Sequence, residues 1–157
     1  MAKSNFIKLF AALLFTVGLG SIGGLFTAPE ITTWYAGLNK PAFNPPNYLF
    51  APVWTTLYIL MGISFYLIWK KHPSPVKTAG VLFFLLQFIL NVCWSFIFFK
   101  QHLIGFALIE MMVMWLFILF TINEFRKLSK PAAWLLVPYI GWVSFAAVLN
   151  FFIWKLN

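Results

Sequence analysis

Long apolar runs, broken by short clusters of lysine, arginine, proline and asparagine, set the rhythm of this chain. The first run, Phe6 to Phe26, would span ~30 Å as a helix, a full bilayer crossing and long for the apolar core of a signal peptide. A cut after Ala28 would leave Pro29 just beyond it, which disfavours cleavage, so helix 1 is expected to stay on the protein. Further runs predict helix 2 ending near Lys70, helix 3 from about Ala79 to Phe99, helix 4 from about Ile104 to Phe125 and helix 5 from about Ala132 to Trp154. The pattern predicts an all-α membrane protein: a bundle of five transmembrane helices forming one domain over residues 1–157, with a long ordered loop between helices 1 and 2.

That loop reads unlike a solvated linker. From Trp34 to Tyr58 it carries Pro41, Pro45, Pro46 and Pro52 among Trp34, Tyr35, Phe43, Tyr48, Phe50, Trp54 and Tyr58. Prolines fix φ and lower the entropy lost in holding one shape. A preshaped flap over something apolar is the expectation. Thr32 or Thr33 is placed to cap a short helical turn through Trp34 and Tyr35, and Pro52 falls near the start of helix 2, where a missing N–H costs least.

Composition agrees with the pattern. At 62% hydrophobic and 9% charged over 157 residues, the chain has more apolar surface than a soluble domain of this size can hide. The net charge of +8 sits in the turns between apolar runs, which is a membrane-orientation pattern and not a nucleic-acid footprint. Lys3, Lys8, Lys70, Lys71, Lys77, Arg126, Lys127 and Lys130 fall on one side, and Lys40, Lys100 and Lys155 on the other. This predicts the N-terminus inside and the flap outside. Cys93, in an apolar run, has no second cysteine to pair with. His72 and His102 read as turn residues at the interface, and Glu124 as an ion pair with the neighbouring Arg126 or Lys127.

Polar residues inside the spans change the picture most. Gln87, Asn91 and Ser95 recur every four residues on helix 3 beside Trp94, one narrow polar stripe that must face protein or a cavity. Glu110 lies within helix 4, where a carboxylate is costly and would be neutral or bonded to a neighbouring helix. Trp142, Ala146 and Asn150 share a face of helix 5. By helical rise these groups gather in the half of the membrane on the flap's side. They either glue helices together or line a small-molecule pocket, and the flap favours the pocket. Gly20 and Gly24, with Gly23 beside them, predict a close helix neighbour, either within the bundle or at a dimer seam.

The run Trp34-Tyr35, Lys40-Pro41, Phe43, Pro45-Pro46, Phe50, Val53-Trp54 and Leu57-Tyr58 resembles the signature of the TspO/MBR family, the tryptophan-rich sensory proteins related to the mitochondrial translocator protein. The likeness continues through Gln87, Asn91, Trp94-Ser95 and Phe98-Phe99, then Glu110, then Pro138-Tyr139, Trp142, Ala146 and Leu149-Asn150. The resemblance implies a five-helix bundle, usually a homodimer; the short termini, without a transit-like extension, predict a bacterial cell membrane. It implies a pocket under the first loop for porphyrins such as protoporphyrin IX and for isoquinoline-carboxamide or benzodiazepine-type molecules. Carried over residue by residue, the ligand-binding positions are Tyr35, Trp54, Tyr58, Asn91, Trp142 and Ala146. The family's sterol motif keeps Leu149 and Lys155, but Phe151 and Phe152 stand where its tyrosine belongs, which counts against high-affinity cholesterol binding.

Two functional readings follow. In the first, the protein binds a flat hydrophobic ligand for transport, sensing or regulation of tetrapyrroles. In the second, it is an enzyme that breaks porphyrin down in light, with Trp54 and Trp142 as the catalytic redox partners. No metal cluster, nucleophile–base pair or nucleotide loop is written in the chain, and no cofactor is expected. A proton or ion pathway would rest on Glu110 alone.

Overall fold

Within each apolar run the backbone amides can be satisfied only along the run itself, so each folds as a helical rod. The computed structural model describes residues 2–157, with side chains from residue 4 onward, so the Lys3 counted for orientation falls outside the described side chains. Among the described residues five helices are long and apolar enough to cross a membrane: α1 (Ser4–Ile31), α2 (Asn47–Trp69), α3 (Pro75–Lys100), α4 (Ile104–Leu128) and α5 (Lys130–Leu156).

Several ends lie further out than the apolar runs predict. Helix α1 runs past Phe26 to Ile31 with Pro29 inside its last turn, where the ring removes the N–H that would reach the Leu25 carbonyl and the helix ends two residues later. Helix α3 starts at Pro75 because Ser74 is a true N-cap, its hydroxyl accepting from the Lys77 N–H at 3.1 Å. Ser129 does the same for α5, accepting from the Ala132 N–H. Helix α5 is interrupted at Leu136, where the ring of Pro138 removes one donor from the ladder. Short π-helical turns interrupt α1 at Leu14–Gly18 and close α3 at Phe96–Lys100.

The predicted flap is shorter than the stretch from Trp34 to Tyr58. Its second half is already helix α2, beginning in a 3-10 turn at Asn47–Leu49 and continuing from Phe50. What remains is one helical turn at Trp34–Gly37 followed by an extended proline-bearing strip. Thr33 occupies the cap position of that turn without capping it, because its hydroxyl turns back to the Pro29 carbonyl at 3.0 Å. The strip is tied to the far end of the chain: the Asn39 N–H donates to Asn157 Oδ1 at 3.0 Å, and Asn157 Nδ2 donates to the Asn39 carbonyl at 3.0 Å.

Two packed regions result. One joins Leu57, Met61, Ile68, Phe84, Phe88, Met111, Met114, Ile118, Phe125, Tyr139 and Val143 through the middle of the bundle. The other packs Tyr35 of the flap on Phe98, Phe99, Leu149 and Ile153 at the bundle's lid end. Glycines set the closest approaches. A Cβ on Gly62 would meet the Thr16 hydroxyl at 2.6 Å and the Leu13 Cα at 3.2 Å, so α1 and α2 touch backbone to backbone there.

Candidate functional site

Beyond that seam the helices part. Toward the lid end α1 and α2 diverge around a cavity of about 290 Å³, walled also by α3, α5 and the flap. Eight of its lining residues are aromatic: Tyr35, Phe50, Trp54, Tyr58, Trp94, Phe98, Phe99 and Trp142. Gly20, Gly23 and Gly24 on α1 provide the space. A Cβ on Gly23 would stand 3.0 Å from the Ser95 hydroxyl, whereas nothing lies within 4 Å of one on Gly24. The predicted close neighbour is therefore internal at Gly20 and Gly23, while Gly24 borders open space.

The exposed residues of the wall are Ser21, Gly24 and Ala28 of α1, and Asn47, Ala51 and Thr55 of α2. The cavity is thus open along the α1–α2 seam, and the lips of the opening are small side chains. The roof is the flap. Tyr35 is 3% exposed, and its hydroxyl donates to Asn44 Oδ1 at 2.8 Å, joining the helical turn to the proline strip. Burial pushes that hydroxyl's pKa up to about 12. Trp34 stacks on His102 with ring centroids 4.0 Å apart and meets Phe98 edge-on. His102 Nε2 lies 3.4 Å from Glu30 Oε2, so the turn between α3 and α4 clips the flap to the end of α1.

Of the six ligand-binding positions predicted, Tyr35, Trp54, Tyr58, Trp142 and Ala146 line this one cavity. Asn91 does not. It lies one layer behind, its Oδ1 accepting from the Tyr58 hydroxyl at 2.8 Å. Its Nδ2 donates to the Tyr139 hydroxyl at 3.2 Å, and that hydroxyl donates to Gln87 Oε1 at 2.7 Å. Of the predicted polar stripe of α3, Gln87 and Asn91 face protein and Ser95 lines the cavity, and Asn91 holds Tyr58 in place from behind. A second amide does similar work, with Asn150 Oδ1 accepting from the Trp94 indole at 3.2 Å and Nδ2 donating to the Ile104 carbonyl at 2.9 Å. Among the described residues the indole N–H groups of Trp94 and Trp115 are bonded, whereas those of Trp54 and Trp142 bond nothing in the chain.

Sequence reasoning missed Tyr139 and the cavity wall formed by Phe50, Phe98 and Phe99. Tyr139 is fully buried at the centre of the bundle and joins α5 to α3 through two amides. A tyrosine in an apolar run one turn before Trp142 was the available signal, since a buried phenol needs partners.

A family model described as the TspO/MBR family matches residues 10–155. The chain is 41% identical over 156 residues to the tryptophan-rich protein TspO of Archaeoglobus fulgidus, covering 98% of this chain and 99% of that one. It is 36% identical over 149 residues to the tryptophan-rich sensory protein of Cereibacter sphaeroides, covering 95% and 91%. It is 37% identical over 138 residues to the human translocator protein, covering 87% and 82%. With five apolar spans and a family match over nearly its whole length, the chain is an integral, multi-pass membrane protein and belongs to the TspO/MBR family.

Proposed function

We propose that this protein binds a flat hydrophobic ligand, a porphyrin such as protoporphyrin IX, in the aromatic cavity under the flap, and that it acts in tetrapyrrole transport, sensing or regulation. The observation that carries the reading is the pair of indoles, Trp54 and Trp142, on the wall of one apolar cavity. Offset stacking on such rings stabilises a planar π-system by roughly 0.5–1.5 kcal/mol per contact beyond area burial. The indole N–H groups left unbonded are the donors a ligand's carbonyl or carboxylate would meet. The wall offers no Lys or Arg, so acidic substituents of a porphyrin would sit at the opening, near Asn47, with the macrocycle inside. Isoquinoline-carboxamide and benzodiazepine-type molecules fit the same chemistry, with one carbonyl on a fused aromatic body. Asn91 serves here by fixing Tyr58 and not by touching the ligand. We place the protein in a bacterial cell membrane, with the N-terminus on the inner side by the distribution of lysine and arginine and with a homodimer by family likeness.

Titration of bilayer-reconstituted protein with protoporphyrin IX, read by quenching of tryptophan fluorescence, tests the assignment. Saturable binding, weakened at least about tenfold by Trp142→Ala together with Trp54→Ala, is the expected result; tenfold corresponds to about 1.4 kcal/mol. Equal affinity in wild type and the double variant would remove the cavity from consideration.

The same two indoles carry a second reading. Excited porphyrin and dioxygen next to oxidisable indoles would allow light-dependent breakdown of the bound macrocycle. Illumination of the loaded protein separates the readings. Product that forms in wild type and not in Trp54→Phe or Trp142→Phe supports the enzyme, and binding without turnover in all three leaves a binding protein.

A further inference from the structure

The chain has three acidic side chains, Glu30, Glu110 and Glu124. Two are accounted for at the helix ends: Glu30 faces His102, and Glu124 pairs with Lys127 at 2.5 Å. Glu110 is different in kind. It sits on α4 six residues from Ile104, so ~9 Å along the helix from the lid end. Both of its carboxyl oxygens are buried, and among the described residues neither has a hydrogen-bond partner. Around it α4 turns Phe106, Ile109 and Val113 outward, 69%, 63% and 41% exposed, toward the acyl chains, and Ala107, Met111 and Met114 inward. The titratable groups close enough to feel its charge are Cys93 on α3 and Tyr139 on α5. Both are acids, and neither is a cation. Among the described residues the amide Nε2 of Gln87, whose Oε1 accepts from Tyr139, is the other buried side-chain polar atom without a partner.

A carboxylate in such a place would have neither a counter-ion nor a hydrogen-bond donor among the described residues, a cost of several kcal/mol even after relaxation. A carboxylic acid would not. We propose that Glu110 is a proton-binding site within the membrane, a carboxyl that stays neutral at physiological pH and that a lipid-soluble carbodiimide modifies. The chemistry is specific for the neutral form. The carboxyl proton passes to one carbodiimide nitrogen as the carboxyl oxygen adds to the central carbon. The O-acylisourea that forms then rearranges by acyl transfer to nitrogen, giving a stable N-acylurea with nothing lost and no oxidant needed. An ionised carboxylate brings no proton to this addition. This inference does not depend on what the cavity binds.

The test is labelling of the reconstituted protein with dicyclohexylcarbodiimide at neutral pH, with the adduct located by peptide mass spectrometry. The adduct is expected on Glu110, severalfold above Glu30 and Glu124, falling as pH rises and absent in Glu110→Gln. Infrared spectroscopy gives an independent readout: a protonated-carboxyl C=O band at neutral pH in wild type, missing in Glu110→Gln. Gln copies the shape of the neutral acid, so that variant is expected to fold. Labelling confined to Glu30 and Glu124, or no carboxyl band to lose, would overturn the proposal.

Discussion

A Cβ placed on Gly20 would stand 2.7 Å from three atoms of the Tyr58 ring. The two residues come from neighbouring helices, and the second is the phenol whose hydroxyl donates to Asn91. The absence of a side chain at Gly20 is what lets that ring stand upright between α1 and α3. Gly20→Ala is expected to displace the ring, break the 2.8 Å bond to Asn91 and narrow the cavity. Overpacking of this kind costs about 1–3 kcal/mol. Thermal unfolding in detergent should show the loss, and ligand affinity should fall with it. Gly24→Ala, which meets nothing within 4 Å, should leave the melting temperature unchanged.

The seam at Gly62 makes a sharper stability prediction. The obstacle there includes the Leu13 Cα, backbone that cannot rotate away, as well as the Thr16 hydroxyl. Thr16 is itself fully buried and donates to the Ala12 carbonyl at 3.1 Å. Gly62→Ala should therefore destabilise the bundle by at least as much as Gly20→Ala, about 1–3 kcal/mol or more, from a position one turn inward of the cavity. Equal melting of wild type and variant would show that α1 and α2 separate easily at this level.

The roof makes a pH prediction. Tyrosine in an unfolded chain ionises near pH 10, and burial holds the Tyr35 hydroxyl up at about 12. The folded flap keeps a proton that the unfolded chain gives up. The stabilisation is full below pH 10 and is lost as pH climbs from 10 toward 12. Melting curves across that range should fall, and Tyr35→Phe should flatten the alkaline limb. The same variant should cost about 1 kcal/mol at neutral pH through loss of the bond to Asn44.

The flap is also pinned by exposed amides, which should govern its motion more than the protein's stability. Asn39 and Asn157 exchange hydrogen bonds through both side chain and main chain, and Asn39 Nδ2 adds one to the Leu156 carbonyl at 3.2 Å. Asn39→Ala is expected to leave melting nearly unchanged while raising both ligand association and dissociation rates. Stopped-flow measurement with a fluorescent porphyrin would read this. Unaltered rates would mean that ligand does not pass the flap.

The five spans could be read from the chain because hydrocarbon leaves the backbone no alternative to helix, and a run of apolar residues is enough to say so. Helix ends were less legible. Pro75 and Pro131 look like breakers in isolation, yet each sits in the first turn of a helix behind a serine cap. Tyr35, Trp54, Tyr58, Trp142 and Ala146 were carried over from the family resemblance, and the fold brings them to one cavity. Asn91 was named beside them, but spacing along α3 cannot say whether an amide faces a void or a phenol, and here it faces Tyr58. The stack of Trp34 on His102 was invisible for a related reason: the two rings meet only once α3 and α4 are closed by a turn in which His102 has a φ of 57°.

The gap between Ser21, Gly24 and Ala28 on one side and Ala51 and Thr55 on the other faces the side of the bundle, not its end. A greasy solute dissolved in the surrounding lipid meets that gap without first crossing into the aqueous phase. What it samples is its local density among acyl chains, raised over the bulk by its partition coefficient. Dissociation constants measured in micelles and in vesicles should then differ by the ratio of apolar volumes, and should agree once expressed as moles of solute per mole of amphiphile.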